Sequence, residues 1–264
     1  TEEAAKVTLN EVAHSIFYAP QYVAQELGFF EEEGLDVSVA VGNGADKSMT
    51  ALLSDSADIA LLGTEAGLYV YAEGKADYPK TFAQLTQRAG NFLVSREEEP
   101  DFQWSDLERK SVIGGRLGGM PEMVLEYVIK ENGMTIGKDM EIINNIDFTS
   151  TAGAFLGEVG DYTVEFEPFA TTLEMEGCGT VVASLGRDSG YVPYTAYCAK
   201  KSYIEKNPEL IQKFTNAIQK GLDYVNSHSA WEIAKTIQPQ FKDTPVEKIA
   251  TIVDRYKSQD TWKE

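Results

Sequence analysis

The sequence predicts an α/β protein of two similar lobes, each a mostly parallel sheet flanked by helices, with a ligand cleft between the lobes. Two observations carry this. From His14 to Gly67 the chain alternates strand, loop and helix three times, and each loop falls where a strand gives way to a helix. An echo returns about a hundred residues later: Pro20-Gln21-Tyr22-Val23 is matched by Pro121-Glu122-Met123-Val124, Gly34-Leu35 by Gly133-Met134, and Asp58-Ile59 by Asp161-Tyr162. Loops at strand ends facing such a cleft are where α/β proteins hold ligands.

Each element has its own reason. Alternation over Lys6 to Ala13 predicts a first strand. Ala19-Pro20 then opens a helix with Tyr22, Val23, Leu27 and Phe30 at helical spacing, since Pro is tolerated in a first turn. Gly28 and Gly34 punctuate its end, Leu35 to Val41 is the second strand, and Asp46 suits an N-cap for a helix through Leu53. Ile59 to Leu62 is a short buried strand, and a helix starts at Gly63-Thr64-Glu65. Strands are expected over Lys80 to Arg88 and Phe92 to Ser95, and the acidic run from Arg96 to Asp106 reads as a solvated excursion. In the second half, the strand at Ser111 leads through Gly114-Gly115-Arg116-Leu117-Gly118-Gly119 to a helix from Met120 to about Asn132. A strand over residues 140–146, a helix near Thr151 to Leu156, the strand Asp161 to Phe166 and a helix from Glu167 to Glu176 follow. Thr180 to Leu185 and Val192 to Ala199 read as strands. From Pro208 the chain is helical, with Leu210, Ile211, Phe214, Ile218 and Leu222 at core spacing. That C-terminal block is needed to cover the first sheet. It places residues 1–89 and 196–264 in lobe one and 90–195 in lobe two, with hinge crossings near 89–91 and 186–195.

Bulk properties exclude several functions. The 264 residues suit two lobes, and 43% hydrophobic with 25% charged residues describes a globular chain. A net charge of -19 argues against nucleic-acid binding, which needs a basic face. No apolar run approaches the ~20 residues that span a bilayer. The opening Thr1 to Lys6 has no Met and no apolar signal core, so a processed chain or one lacking its export segment is expected. Cys178 and Cys198 are expected as buried free thiols.

Several side chains could carry chemistry. The glycine loop ahead of Met120 could aim free N–H groups and the positive end of a helix at a ligand, with Arg116, Gly118 and Gly119 in contact. It is neither a P-loop nor a dinucleotide fingerprint. Asn43 and Asp46 sit in the corresponding loop of the first half, and Thr64 and Glu65 follow the third strand. In the second half Tyr162 and Glu165 occupy the matching strand, where a carboxylate can accept from an amino group. Phe17 and Tyr18 at the first loop, with Tyr191 and Tyr194 in the return crossing, could sandwich a flat ring. Phe29, Phe30 and Phe169 read as core. His14-Ser15 resembles a base and nucleophile, but adjacent residues of an extended segment face opposite ways and no orienting group is evident. His14 is therefore a ligand-contacting or polar loop residue. No catalytic residue, cofactor or metal site is expected.

The residues resemble a known family, the solute-binding proteins of ABC importers in the nitrate, sulfonate, taurine and thiamine-precursor group. The likeness lies in the run from Tyr18 to Phe30 with Gly34-Leu35-Asp36-Val37, and in Ala57-Asp58-Ile59-Ala60. It continues in the glycine loop before a helix, in Phe166-Glu167-Pro168, and in the run from Lys200 to Pro208. The resemblance implies a periplasmic-binding-protein-like fold of the second topological type, hinge closure over a small molecule, and delivery to ABC permease transmembrane subunits by an exported, lipid-anchored or periplasmic monomer. It implies ligand contacts in the loops His14 to Tyr18, Asn43 to Asp46, Gly63 to Glu65, Gly115 to Gly119 and Asp161 to Glu165. Sulfonate- and nitrate-type members offer hydroxyl residues at the second-lobe helix start, which Leu117-Gly118-Gly119-Met120 lacks. The aromatic loops and Glu165 fit a flat amino-bearing ring, such as a pyrimidine precursor of thiamine. Sulfonate, taurine or nitrate binding is the alternative. An enzyme on this fold is a further one, although the cysteine-rich iron-binding run of the pyrimidine-synthesising relatives is missing.

Overall fold

A computed structural model describes residues 3–264, apart from the side chain of residue 148. The opening Thr1-Glu2 lies outside the described residues. The chain divides into two compact units. One holds the chain up to Gln87 together with Pro193–Glu264, and the other is Arg88–Val192.

In chain order, β1 (Ala5–Glu11) leads through a 3-10 turn at Ile16–Tyr18 to α1 (Ala19–Glu26) and α2 (Phe29–Glu32). Then come β2 (Leu35–Val41), α3 (Ala45–Leu53), β3 (Ile59–Gly63), α4 (Glu65–Ala72) and β4 (Pro79–Thr86). The second unit runs β5 (Asn91–Ser95), β6 (Ser111–Ile113), α5 (Met120–Glu131), β7 (Glu141–Ile143), α6 (Thr151–Leu156), β8 (Tyr162–Phe166), α7 (Phe169–Met175), β9 (Thr180–Ser184) and α8 (Leu185–Asp188). The chain returns to the first unit with β10 (Thr195–Lys200), α9 (Lys201–Lys206), α10 (Pro208–Ser227), α11 (Ala230–Ile237) and α12 (Val246–Ser258).

The two sheets share one plan. In the first the order is β2-β1-β3-β10-β4, with β1 parallel to both neighbours and β10 antiparallel to both of its own. In the second the order is β7-β6-β8-β5-β9, with β6 and β5 in those two roles. The sequence echo explains part of this. Asp58, entering β3, accepts the Thr8 N–H of β1 on its carboxylate at 2.8 Å while its own N–H reaches the Thr8 carbonyl at 2.9 Å. Asp161, entering β8, makes the same reciprocal pair with Ser111 of β6, at 2.8 and 2.9 Å. Each aspartate closes the ladder at the point where the strands begin, where a backbone N–H would otherwise lack a partner.

Alternation along the strands sorts the first core into two faces. Ala60, Leu62 and Cys198 pack with Met49, Leu52, Ala66 and Val70 of α3 and α4. On the other face, Tyr197 meets Phe214 of α10 at 5.1 Å, and Phe214 also meets Phe30 at 5.2 Å. The helix α10 lies so close to α1 that a Cβ on Gly221 would fall 2.2 Å from the Pro20 carbonyl oxygen. In the second unit Val112, Ile113, Leu93 and Phe155 are fully buried with Leu125 and Ile129 of α5. Arg96 donates to the carbonyls of Phe155, Val159 and Gly160 and lies over the Phe155 ring at 4.1 Å. It ties the end of α6 to the loop that leads into β8.

The structure corrects several local expectations. Asp46 is not the N-cap of α3; Gly44 is, and Asp46 lies exposed in the first turn. Leu27 is 40% exposed because α1 ends at Glu26 and left-handed Gly28 turns the chain. Phe169 starts α7 on its outer side and is 44% exposed, whereas Phe30 is core and Phe29 half-buried. The acidic excursion is anchored: Trp104 and Leu107 are buried, Trp104 Nε1 donates to Asp188 at 2.8 Å, and Glu99 accepts from Ser95 and Tyr162. Both cysteines are free, but only Cys198 is buried, and burial pushes its thiol up to about 12.

The close crossing gives a test of the first unit. Gly221→Ala must push backbone from backbone, so a loss of about 1–3 kcal/mol is expected in denaturant unfolding. An unchanged midpoint would mean that α1 and α10 can part without cost.

Candidate functional site

The first unit places a buried carboxylate at the end of β1. Glu11 is fully buried and accepts from His14 Nδ1 at 2.7 Å, Gln21 Nε2 at 2.9 Å and the Tyr22 hydroxyl at 2.8 Å. Gln21 in turn accepts the Tyr197 hydroxyl at 2.8 Å. Sequence reading missed Glu11, because a strand-end glutamate looks like one more polar alternation. His14 Nε2 faces the Gln240 carbonyl at 2.7 Å and its ring stacks on Phe241 at 4.7 Å. Both ring nitrogens meet acceptors, so the imidazolium is the form that satisfies both. Burial alone would lower the His14 pKa, but the Glu11 hydrogen bond, the Gln240 carbonyl and the Glu11 charge outweigh it and hold it above 6.5.

With His14, six of the expected residues lie in this part of the first unit. Phe17 and Tyr18 are buried, their rings 5.2 Å apart, and Phe17 meets Tyr194 edge-on at 5.7 Å. Tyr256 and Trp262 from the C-terminus close the group, with Trp262 Nε1 donating to the Phe17 carbonyl at 2.9 Å. Thr64 donates to the Pro193 carbonyl at 3.1 Å, next to Tyr194. Glu65 is 7% exposed and folds back over Gly63, where any Cβ would meet its carboxylate at 2.1 Å. Burial first, and the charges of Glu11 and Glu65, raise the Tyr18 pKa. Burial first, and Glu65 among its neighbours, raise that of Tyr194. The expectation of open aromatic faces is thus revised for Phe17, Tyr18 and Tyr194: the C-terminal segment packs them edge to edge around a buried carboxylate. Asn43, at φ 55° ahead of α3, and Asp46, in its first turn, stand apart and are exposed.

In the second unit the expected residues separate. Glu165 is buried and accepts from Thr163 at 2.7 Å and Thr151 at 3.1 Å. Burial pushes its carboxyl up to about 7 in spite of both hydroxyls. Tyr162 is buried and donates to Glu99 at 2.9 Å. Tyr191 is 64% exposed, with the Arg88 guanidinium 4.0 Å over its ring. Arg116 is exposed and reaches the still more exposed Asp147 at 3.9 Å, a pair worth little in water.

The glycine loop does not offer the free amides expected of it. Leu117 N–H donates to the Asn144 carbonyl at 3.1 Å and Gly119 N–H to the Arg116 carbonyl at 3.1 Å. Gly118 N–H donates to the carboxylate of Glu122 at 3.2 Å. Glu122 is buried on α5 at the N3 position, so the protein's own carboxylate stands where a bound anion would. Burial and a hydrogen bond with Glu126 push Glu122 up, while the Gly118 N–H opposes them.

A groove of about 430 Å³ lined by Ala5, Leu35, Lys206, Pro208 and Lys213 lies elsewhere in the first unit. It sits where β1 and β2 begin, whereas ligand loops of such sheets follow the strand ends. Among the described residues, no group of three or more His, Cys, Asp or Glu could hold a metal ion, and no helix is long and apolar enough to cross a membrane.

The site fixes a pH dependence. With its native pKa near 7 against 4.5 unfolded, Glu165 keeps a proton that the unfolded chain releases, so stability falls as pH climbs from about 4.5 to 7. His14 adds stability that is full below 6.5 and lost as pH rises through its native value. On the acid side, Asp77 is held below 3.8 by the Ser202 side chain and N–H, so its contribution fades as pH falls through that lowered value. Unfolding at pH 5.5 should therefore require more heat than at pH 8. Glu165→Gln should recover up to about 3 kcal/mol at pH 8 and little at pH 4.5; a parallel loss at both values would refute the buried-acid assignment.

The NMT1/THI5 like family matches residues 16–230. YtlA of Bacillus subtilis (strain 168), whose name describes a binding protein, is 49% identical over 261 residues, covering 99% of this chain and 78% of that one. A 4-amino-5-hydroxymethyl-2-methylpyrimidine phosphate synthase of Legionella pneumophila is 25% identical over 257 residues, covering 89% and 74%. The structure of the alkanesulfonate-binding protein SsuA from Xanthomonas axonopodis pv. citri, bound to MOPS, superposes with a TM-score of 0.77 at 15% identity, covering 98% and 86%. That likeness is one of fold.

Proposed function

The chain belongs to the NMT1/THI5-like family, and from that premise we propose that it is a non-catalytic, extracytoplasmic solute-binding protein of an ABC importer. It captures a small molecule by hinge closure and passes it to the permease. A lipid anchor at the cell surface, or a free periplasmic form, belongs to the same proposal.

The ligand is a small amino-bearing heteroaromatic such as a pyrimidine precursor of thiamine. One observation carries this choice over an oxyanion: Glu122 already holds the Gly118 N–H at the start of α5. A sulfonate or nitrate there would meet a carboxylate at close range, and like charges in a poorly solvated place repel strongly. The buried carboxyls of Glu65 and Glu165 favour a ligand that donates hydrogen bonds. The exposed ring of Tyr191 supplies aromatic surface.

The enzyme reading rests on the synthase name of a relative 25% identical to this chain. That name describes an enzyme that forms the pyrimidine phosphate, so mass spectrometry of the purified protein after incubation separates the two: newly formed pyrimidine phosphate marks an enzyme, and none fits a carrier.

Thermal shift tests the ligand class. At a hundredfold excess over Kd, a ligand that binds only the native state adds about 2.7 kcal/mol, or roughly 5–10 °C in Tm for a chain of this size. That rise is expected with 4-amino-5-hydroxymethyl-2-methylpyrimidine and not with methanesulfonate, taurine or nitrate. A rise with the sulfonates alone would return the ligand to the oxyanion class.

A further inference from the structure

We propose that Asn91 reads the ligand: its amide pairs with an edge of the bound molecule that offers a hydrogen-bond acceptor beside a donor. This rests on the binding-protein reading above and names a contact that the sequence did not suggest.

Asn91 opens β5 and is fully buried, yet neither its Nδ2 nor its Oδ1 has a hydrogen-bond partner within the protein. A buried amide with no partner is costly to the fold. Packing gives no reason for it. The following residues Phe92, Leu93 and Val94 are apolar and at most 2% exposed, and asparagine is a poor strand former. Buried polar groups in native proteins are nearly always satisfied, so one left open on both sides points to a partner that comes and goes.

Two neighbours in sequence and fold repeat the observation. Arg88 Nε and Ser189 Oγ are also buried without a partner. They lie on segments joined to each other: Arg88 Nη1 donates to the Gly186 carbonyl at 3.0 Å, and Phe92 of β5 pairs with Ser184 just ahead of α8. The exposed Tyr191 ring under Arg88 belongs to the same stretch. Together they present N–H and O–H donors with one amide acceptor. Oxyanions have no donor for Asn91 Oδ1. An aminopyrimidine edge, with a ring nitrogen next to an exocyclic amine, matches an asparagine amide in the bidentate manner known from adenine recognition.

The test measures the dissociation constant of 4-amino-5-hydroxymethyl-2-methylpyrimidine for the wild type and for Asn91→Leu, with the melting temperature of each unliganded protein. Loss of the pair should weaken binding roughly tenfold or more, while unliganded Asn91→Leu melts no lower than the wild type. If leucine proves too large to fold, Asn91→Ala carries the same affinity expectation. Unchanged affinity in the variant, with the wild type binding, overturns this inference alone. So does a collapse of both unliganded variants, which would show that the amide is satisfied internally. A wild type that ignores the pyrimidine, or prefers methanesulfonate, overturns the ligand class and this contact with it.

Discussion

The structure turns on the matching of buried carboxylates. The chain carries 42 acidic against 23 basic residues, yet Glu11, Glu65, Glu122, Glu165 and Glu167 are all less than 10% exposed. A buried carboxyl is costly unless donors surround it. At Glu11 those donors come from the loop after β1 and from α1, and Gln21 extends the set to Tyr197 of β10. His14 reaches on to the segment after α11. One charge thus ties together parts of the chain separated by more than two hundred residues. Glu167 is held in the same way by the Thr171 hydroxyl and N–H.

The same matching shapes what the protein can bind. At the start of α5 a helix end of the kind that welcomes anions is closed by Glu122 from within. Around Glu65 the phenols of Tyr18 and Tyr194 lie in an interior that favours their neutral forms. Burial pushes the carboxyl of Glu165 up to about 7. The unmet amide at Asn91 adds the reverse lesson, a cost left open where a ligand can close it.

Much of this fold was legible because its determinants are local. Strand, loop and helix succeed one another with the right periods, and the echoed Asp58 and Asp161 do the same work in both sheets. The Gly118–Glu122 bond had only part of a sequence signal: a glutamate at the third helical position ordinarily accepts the N-cap N–H, but here Gly119 donates to Arg116 and Glu122 takes Gly118 instead. Other features are set at long range. Phe17 and Tyr18 read as open loop aromatics, and only Tyr256 and Trp262, some 240 residues away, decide that they are interior. Asn91 gave no warning, since an asparagine before Phe92-Leu93-Val94 looks like an ordinary strand start. Arg116 showed the converse, a charge that looks functional in sequence and lies on the surface beside Asp147.

On the proposed reading the ligand is a hydrogen-bond-donating ring and not an oxyanion. Native mass spectrometry of freshly purified protein, followed by denaturation and identification of any released small molecule, tests it most directly. A neutral or cationic amino-bearing heterocycle, held one per chain, is the expected result. Release of a sulfonate, sulfate or nitrate would contradict it.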